Sequence, residues 1–271
     1  MAAGKIILVF AFITAISVSK IRGQNNILAD ELLKVADNFK NKSMPDSAIV
    51  YYEKAAVEFK ALGNTEKFIN AYNQIGVILT RQDKYEKAGF YLEQALARGL
   101  ASLDSNDLII ARTYISLGVV YGAEDKFEQS LIYHNKALAI RLLRSGKLDA
   151  DVATSYGNIG NVYFRKKDYD RSIEAHLKAK KIREKIFGKN STEVVQSYTN
   201  LGNAYKESKS YKKSLNYYEK ALENKITQLG QGHKDLVRYY KSISEVYYLM
   251  DDKLKGDEYK SKGEAVERQS K

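Results

Sequence analysis

Three kinds of side chain in this sequence have the chemistry to act on something else: two in-register histidines, two matched pairs of asparagines, and a lysine-rich run. His134 and His176 lie 42 residues apart, and His233 is the only other imidazole. Imidazole ligates metals and moves protons near neutral pH, so two such residues on neighbouring layers could make a metal pair. The same register position holds Tyr218 one step further on, which reads it instead as a slot for an aromatic-sized packing residue. Asn158 and Asn161, then Asn200 and Asn203, flank an aliphatic-glycine pair in the segments 156–163 and 198–205. An asparagine amide is donor and acceptor at once and can pair with a peptide backbone whatever side chains that peptide carries. The competing reading is a solvated helix surface, or bonds between neighbouring copies. Lys178, Lys180, Lys181, Arg183 and Lys185 are interspersed with Glu174 and Glu184 within a chain of net charge +11. That run is either a solvated face or a docking surface for an acidic partner.

Several chemistries find no footing. The chain has no cysteine, which excludes disulfides, thiolate metal sites and cysteine nucleophiles. There is no His-Glu-x-x-His segment, EF-hand loop, phosphate-cradling glycine loop or nucleophile elbow. We therefore expect no enzyme, no catalytic residue, no metal and no cofactor.

The elements that position these residues follow from a repeat. Tyr72, Tyr114, Tyr156, Tyr198 and Tyr240 are each 42 residues from the next. Four residues on stand Gly76, Gly118, Gly160, Gly202 and Ser244; an aromatic recurs at Tyr85, Phe127, Tyr169 and Tyr211; a small residue at Ala88, Ser130, Ser172 and Ser214; alanine at Ala95, Ala137, Ala179 and Ala221. Tyr156, Ile159, Gly160 and Tyr163 have i, i+3, i+4, i+7 spacing, one face of a helix A. Glycine there lets a second helix B approach closely, and the small residues of helix B do the same. Hydrophobic content is 44% and there is one proline, Pro45, in 271 residues, which suits an all-helical chain. Helix A starts are expected near 69, 111, 153 and 195. Gly146, Gly188 and Gly230 are expected to end B helices in left-handed caps.

This pattern resembles the tetratricopeptide repeat, with tyrosine for the usual tryptophan. The longer unit is similar to repeats of kinesin light chains, of Pins-type adaptors, of exported bacterial proteins and of the sensory regions of histidine kinases. The resemblance implies an all-α fold, an α-α superhelix of about six helix pairs. Repeats fall near 28–68, 69–110, 111–152, 153–194, 195–236 and 237–271, in one domain over 24–271. The sixth, with Ser244, Gly256, Lys260 and Gly263 at the pattern positions, serves as a degenerate cap.

The resemblance further implies that A helices line a concave groove. It sets Asn158, Asn161, Asn200, Asn203, Arg165, Lys206 and Arg238 on that wall as peptide-binding residues, with Asn70, Asn73, Val77, Arg112, Val119 and Lys241 at matching positions. Asn161 and Asn203 are expected to stand outside the core. The carboxylate clamp that grips chaperone tails cannot be assembled here, which disfavours those partners. The expected function is a non-enzymatic adaptor or scaffold holding an extended peptide or partner protein in the groove. The alternative is an extracytoplasmic sensory module acting through a separate partner.

Residues 1–23 carry Lys5 and an apolar run from Ile6 to Val18. That run is short for a bilayer span and suits a cleaved secretory signal peptide, the alternative being an uncleaved anchor. We expect a secreted or periplasmic protein with no stable membrane span after cleavage, no nucleic-acid partner and no small-molecule substrate. Asn41-Lys-Ser43 and Asn190-Ser-Thr192 are glycosylation sequons.

Overall fold

The computed structural model describes residues 25–269; the signal-peptide segment 1–23 lies outside the described residues. Among the described residues there are twelve α-helices, one short 3-10 turn and no strand. Helix α1 covers 25–41. It is followed by α2 (Pro45–Ala61), α3 (Thr65–Arg81), α4 (Tyr85–Ser102), α5 (Leu108–Ala123), α6 (Phe127–Ser145), α7 (Ala150–Arg165) and α8 (Tyr169–Phe187). Then come α9 (Thr192–Glu207), α10 (Tyr211–Leu229), the 3-10 turn (Lys234–Leu236), α11 (Val237–Leu249) and α12 (Lys253–Gln269). Odd helices are the A helices and even ones the B helices, giving the six pairs expected. None of the described helices is long and apolar enough to cross a membrane. The chain divides into two compact units, one ending at Tyr133 and one beginning at His134, inside α6.

The A helices start three or four residues earlier than the apolar spacing indicated. Asn64, Asp107, Asp149 and Ser191 each accept a hydrogen bond from a first-turn N–H, and the helices begin at the next residue. A side-chain cap satisfies N–H groups that would otherwise have no partner. The cap therefore fixes the boundary, about a turn ahead of the first core residue used to mark it.

The tight A-to-B turns share one geometry, carried without glycine. Asp83, Asp125, Lys167, Lys209 and Asp251 have φ between 57° and 64°. In each, the next residue's N–H reaches back five residues, as in Lys84 N to Leu79 O at 2.9 Å and Asp168 N to Tyr163 O at 2.9 Å. A second bond, such as Lys167 N to Phe164 O at 2.9 Å, completes a Schellman motif. The B helices end differently. Gly188 (φ 80°, ψ 159°) and Gly230 (φ 85°, ψ 161°) have positive φ but extended ψ. They are not the left-handed caps expected; this region belongs almost solely to glycine, and it turns the chain outward into the linker.

Within each unit the pairs close on glycine. A Cβ at Gly76 would meet Leu92 at 2.6 Å, one at Gly160 the His176 ring at 2.7 Å, and one at Gly202 the Tyr218 ring at 2.6 Å. Serine hydroxyls reinforce the crossing: Ser130 Oγ donates to Gly118 O (2.6 Å) and Ser214 Oγ to Gly202 O (2.8 Å). In the last pair the two residue types change sides. Ser244 now lies on the A helix and Gly256 on the B helix, and Ser244 Oγ donates to Gly256 O at 2.7 Å. The departure read as degeneracy keeps the same bond.

A second seam is aromatic. The B-helix Tyr133 lies against Tyr114 and Tyr121 (5.8 and 5.4 Å between centroids), Tyr217 against Tyr198 and Tyr205 (6.0 and 5.5 Å), and Tyr259 against Tyr240 and Tyr247 (6.4 and 5.4 Å). In the α7–α8 pair that B-helix position is Ala175.

Candidate functional site

Helix α7 buries Val152, Ala153, Ser155, Gly157, Ile159, Gly160 and Val162. What remains outward is a stripe of Asp151, Thr154, Asn158, Asn161 and Arg165, spaced by three or four residues as one helix face requires. Helix α9 repeats this with Glu193, Gln196, Asn200, Asn203 and Lys206, and α11 with Arg238, Lys241 and Glu245. The second unit thus carries every predicted peptide-binding residue on the outward face of its A helices. Among the described residues, the side chains of Asn158, Asn161 and Asn200 have no hydrogen-bond partner, and Asn161 is exposed.

The stripes are not uniform. Asn200 and Arg238 line one cleft of about 470 Å³ between α9 and α11, with Gln196, Thr199, Lys225 and Tyr239. Arg238 Nη2 donates to Tyr239 Oη at 2.7 Å. Lys206 reaches across to Glu245 at 3.0 Å and also lies 3.7 Å from Glu207. Asn203 has a packing duty that the sequence did not disclose: its Oδ1 accepts from the hydroxyl of Tyr218, itself 1% exposed. Asn203 is half-buried, contrary to the expectation that it stands clear of the core as Asn161 does. In the first unit, Arg112 Nη1 donates to Asn70 Oδ1 at 2.9 Å. Asn73 is only 3% exposed and donates to Thr113 Oγ1 at 3.0 Å. It is therefore a core residue and not, as the register implied, a groove residue.

Two of the three histidines are packing residues. His134 and His176 are 1% and 2% exposed. Burial, and then the charge of Arg141 or Arg183 respectively, lowers each to about 4, so both are neutral at physiological pH. Their register slot is Leu92 one step earlier and Tyr218 one step later. His233 accepts from Asp235 N at 3.2 Å and caps the 3-10 turn. Among the described residues no group of three or more histidine, aspartate or glutamate side chains could hold a metal ion.

The lysine-rich run divides. Arg183 is buried and donates to Ser197 Oγ at 2.9 Å; burial lowers its pKa. One step earlier Arg141 donates to Ser155 Oγ at 2.8 Å and to Asp151 O at 2.9 Å. These guanidinium-hydroxyl bonds tie α6 to α7 and α8 to α9. Sequence reading missed them because arginine was counted as surface charge. The signal was available in the shared 42-residue spacing of Arg141 with Arg183 and of Ser155 with Ser197. Lys178, Lys181 and Lys185 are exposed.

A family model described as tetratricopeptide repeat matches residues 67–142 and 151–227. Against curated protein sequences nothing matches. Among solved structures the fold is similar to BtubC (BKLC) from P. vanneervenii, with a TM-score of 0.69 at 15% identity over 89% of this chain and 92% of that one. It is similar to TPR-like repeats of kinesin-light-chain type from Podosopora anserina, with a TM-score of 0.68 at 13% identity, over 75% and 96% of the two chains. The apo form of RapI gives a TM-score of 0.66 at 13% identity, over 89% and 97%. At these identities the likeness is one of fold.

Proposed function

This chain belongs to the tetratricopeptide-repeat family, and from that premise we propose that it is an exported, non-enzymatic scaffold binding an extended segment of a partner protein on its A-helix face. One observation carries the reading: Asn158 and Asn161 on α7, and Asn200 on α9, present amides without partners in one outward stripe per helix. An unpaired amide at a surface loses little to water, but once covered by a bound strand it must be paired, and a peptide group supplies both halves. Arg238, beside Asn200 in the α9–α11 cleft, adds a cation that selects for acid or carbonyl groups. Export rests on the apolar segment Ile6–Val18 behind Lys5.

A photoreactive residue placed at Asn161 or Asn200 of the full chain, in the cells that make it, tests this. Discrete protein adducts are expected at both positions and not at Lys212 on the B-helix surface. Equal labelling at Lys212, or none at the two asparagines, refutes the reading.

A further inference from the structure

We propose that the second unit carries a separate docking site: a lysine-rimmed cleft between the end of α6, Tyr156 of α7, and α8, which takes an acidic segment of a partner protein whose carboxylates surround one large apolar side chain. In the α7–α8 pair, Ala175 stands where Tyr91, Tyr133, Tyr217 and Tyr259 stand in other pairs. Tyr156 and Tyr163 therefore lack the B-helix ring that their counterparts have. A cation lies over Tyr156 instead, with Lys178 Nζ 5.7 Å from its centroid, whereas Arg171 over Tyr163 at 4.7 Å has counterparts in Lys213 over Tyr205 and Lys255 over Tyr247. Tyr156, Leu142, Leu148 and Ile182 wall a cleft of about 490 Å³, and Leu148 is 57% exposed. This is the small end of the range for ligand clefts, suited to one or two side chains.

The rim is Lys147, Lys178, Lys181 and Lys185. Positions 178, 181 and 185 follow one face of α8, neighbours at helical spacing. Among the described residues Lys147, Lys181 and Lys185 make no ion pair, and Lys178 pairs only with Glu174, a solvent-exposed contact at 2.6 Å. Such a surface pair contributes little. Like charges held within a screening length raise one another's energy, and incoming carboxylates relieve this. A protein segment fits better than the other polyanions. Lysine ammonium groups alone would hold phosphate as readily as carboxylate, but the apolar walls of Leu142, Leu148 and Ile182 are covered only by a ligand that also brings an apolar side chain, and a bilayer surface cannot enter a cleft.

Phage-displayed random peptides selected on the full chain supply the probe. Enriched peptides are then titrated against the wild-type chain and three variants: Lys181→Glu with Lys185→Glu, Ala175→Tyr, and Asn161→Ala with Asn200→Ala. The expected enrichment is acidic with an apolar centre. Binding should fall about ten-fold or more with the charge-reversed pair, because two surface-strength attractions become repulsions, and it should weaken with added salt. Ala175→Tyr, which supplies the ring neighbouring pairs already hold, should abolish binding, with circular dichroism confirming its fold. The asparagine variant should bind normally, which separates this site from the A-helix face. The proposal is overturned by failure to enrich acidic peptides, by their undiminished binding to the charge-reversed chain, or by lysine-dependent binding of only duplex oligonucleotide or phosphatidylserine vesicles.

Discussion

Replacing Gly160 by alanine adds one methyl group where α7 crosses α8. The new Cβ would lie 2.7, 2.8 and 2.9 Å from Cε1, Nε2 and Nδ1 of His176. Comfortable carbon contacts lie near 3.5–4.0 Å, so the imidazole must move by about 1 Å. It is 2% exposed and has nowhere to go without shifting α8. Overpacking of this kind costs about 1–3 kcal/mol, offset by about 1 kcal/mol from alanine's better helix propensity. The expected net loss is about 0–2 kcal/mol, and Gly160→Leu should be worse. Gly89, in α4, is the internal control. A Cβ there meets nothing within 4 Å, so Gly89→Ala should stabilise by about 1 kcal/mol. In a His176→Ala background the space reappears, and Gly160→Ala should turn stabilising, a coupling of about 1 kcal/mol or more. Urea denaturation followed by circular dichroism gives the cycle. Hydrogen exchange should localise the damage to α7, α8 and their neighbours, because a repeat contacts only adjacent ones. Equal shifts for Gly160→Ala and Gly89→Ala, or coupling below about 0.5 kcal/mol, would refute the crossing argument.

Acid should destabilise the fold through His134 and His176, both lowered to about 4 by burial and then by a neighbouring arginine. Unfolded histidine titrates near 6.5, so on acidification the unfolded chain takes up protons first. Stability should hold above about pH 7, fall between 6.5 and about 4, and flatten below, by on the order of 3 kcal/mol per histidine. Melting at both ends of that window should show His176→Leu losing about half the drop, Leu92 being the precedent opposite Gly76. Lys209→Gly relieves a side chain held at φ 60° and should stabilise by up to about 1 kcal/mol, read as a higher melting temperature; a fall would refute the strain. Asn203→Ala leaves the Tyr218 hydroxyl without its acceptor and should cost about 1–3 kcal/mol. Asn161→Ala should stay within about 0.5 kcal/mol, and equal melts for the two would remove the packing role of Asn203.

The pair architecture was legible because tyrosine, glycine and alanine recur in one phase, and close helix crossings demand small residues wherever they occur. Boundaries were less so: apolar spacing marks burial, whereas Asp107 or Ser191 ends a linker ahead of the first buried side chain. The left-handed geometry of the A-to-B turns was not legible, because such a residue is sought as glycine and here aspartate and lysine occupy the site. Asn203 and Asn161 are equivalent by register, yet only Asn203 has a tyrosine opposite, His176 filling that slot one pair earlier. A periodic sequence tells which positions are alike, and differences between like positions depend on what the facing helix carries. Ala175 was visible as a break in a tyrosine series, but its meaning needed the ring contacts around Tyr133, Tyr217 and Tyr259.

The arginine-serine bonds bear on how such a chain can grow. The α7–α8 pair holds both halves of the junction: Ser155 receives Arg141 from the helix before, and Arg183 reaches Ser197 in the helix after. A tandem duplication of the segment 150–191 would therefore meet a matching partner at each new seam, with no second mutation needed. The α11–α12 pair has Tyr239 where Ser155 and Ser197 stand, and the residue facing it in register with Arg183 is Lys225, which donates to Gln228 on its own helix. A copy of the α11–α12 pair placed internally would set a bulky tyrosine where the guanidinium is fitted to the short side chain of serine. Length in this molecule is thus free to change by copies of the α7–α8 pair, which the α11–α12 pair cannot supply.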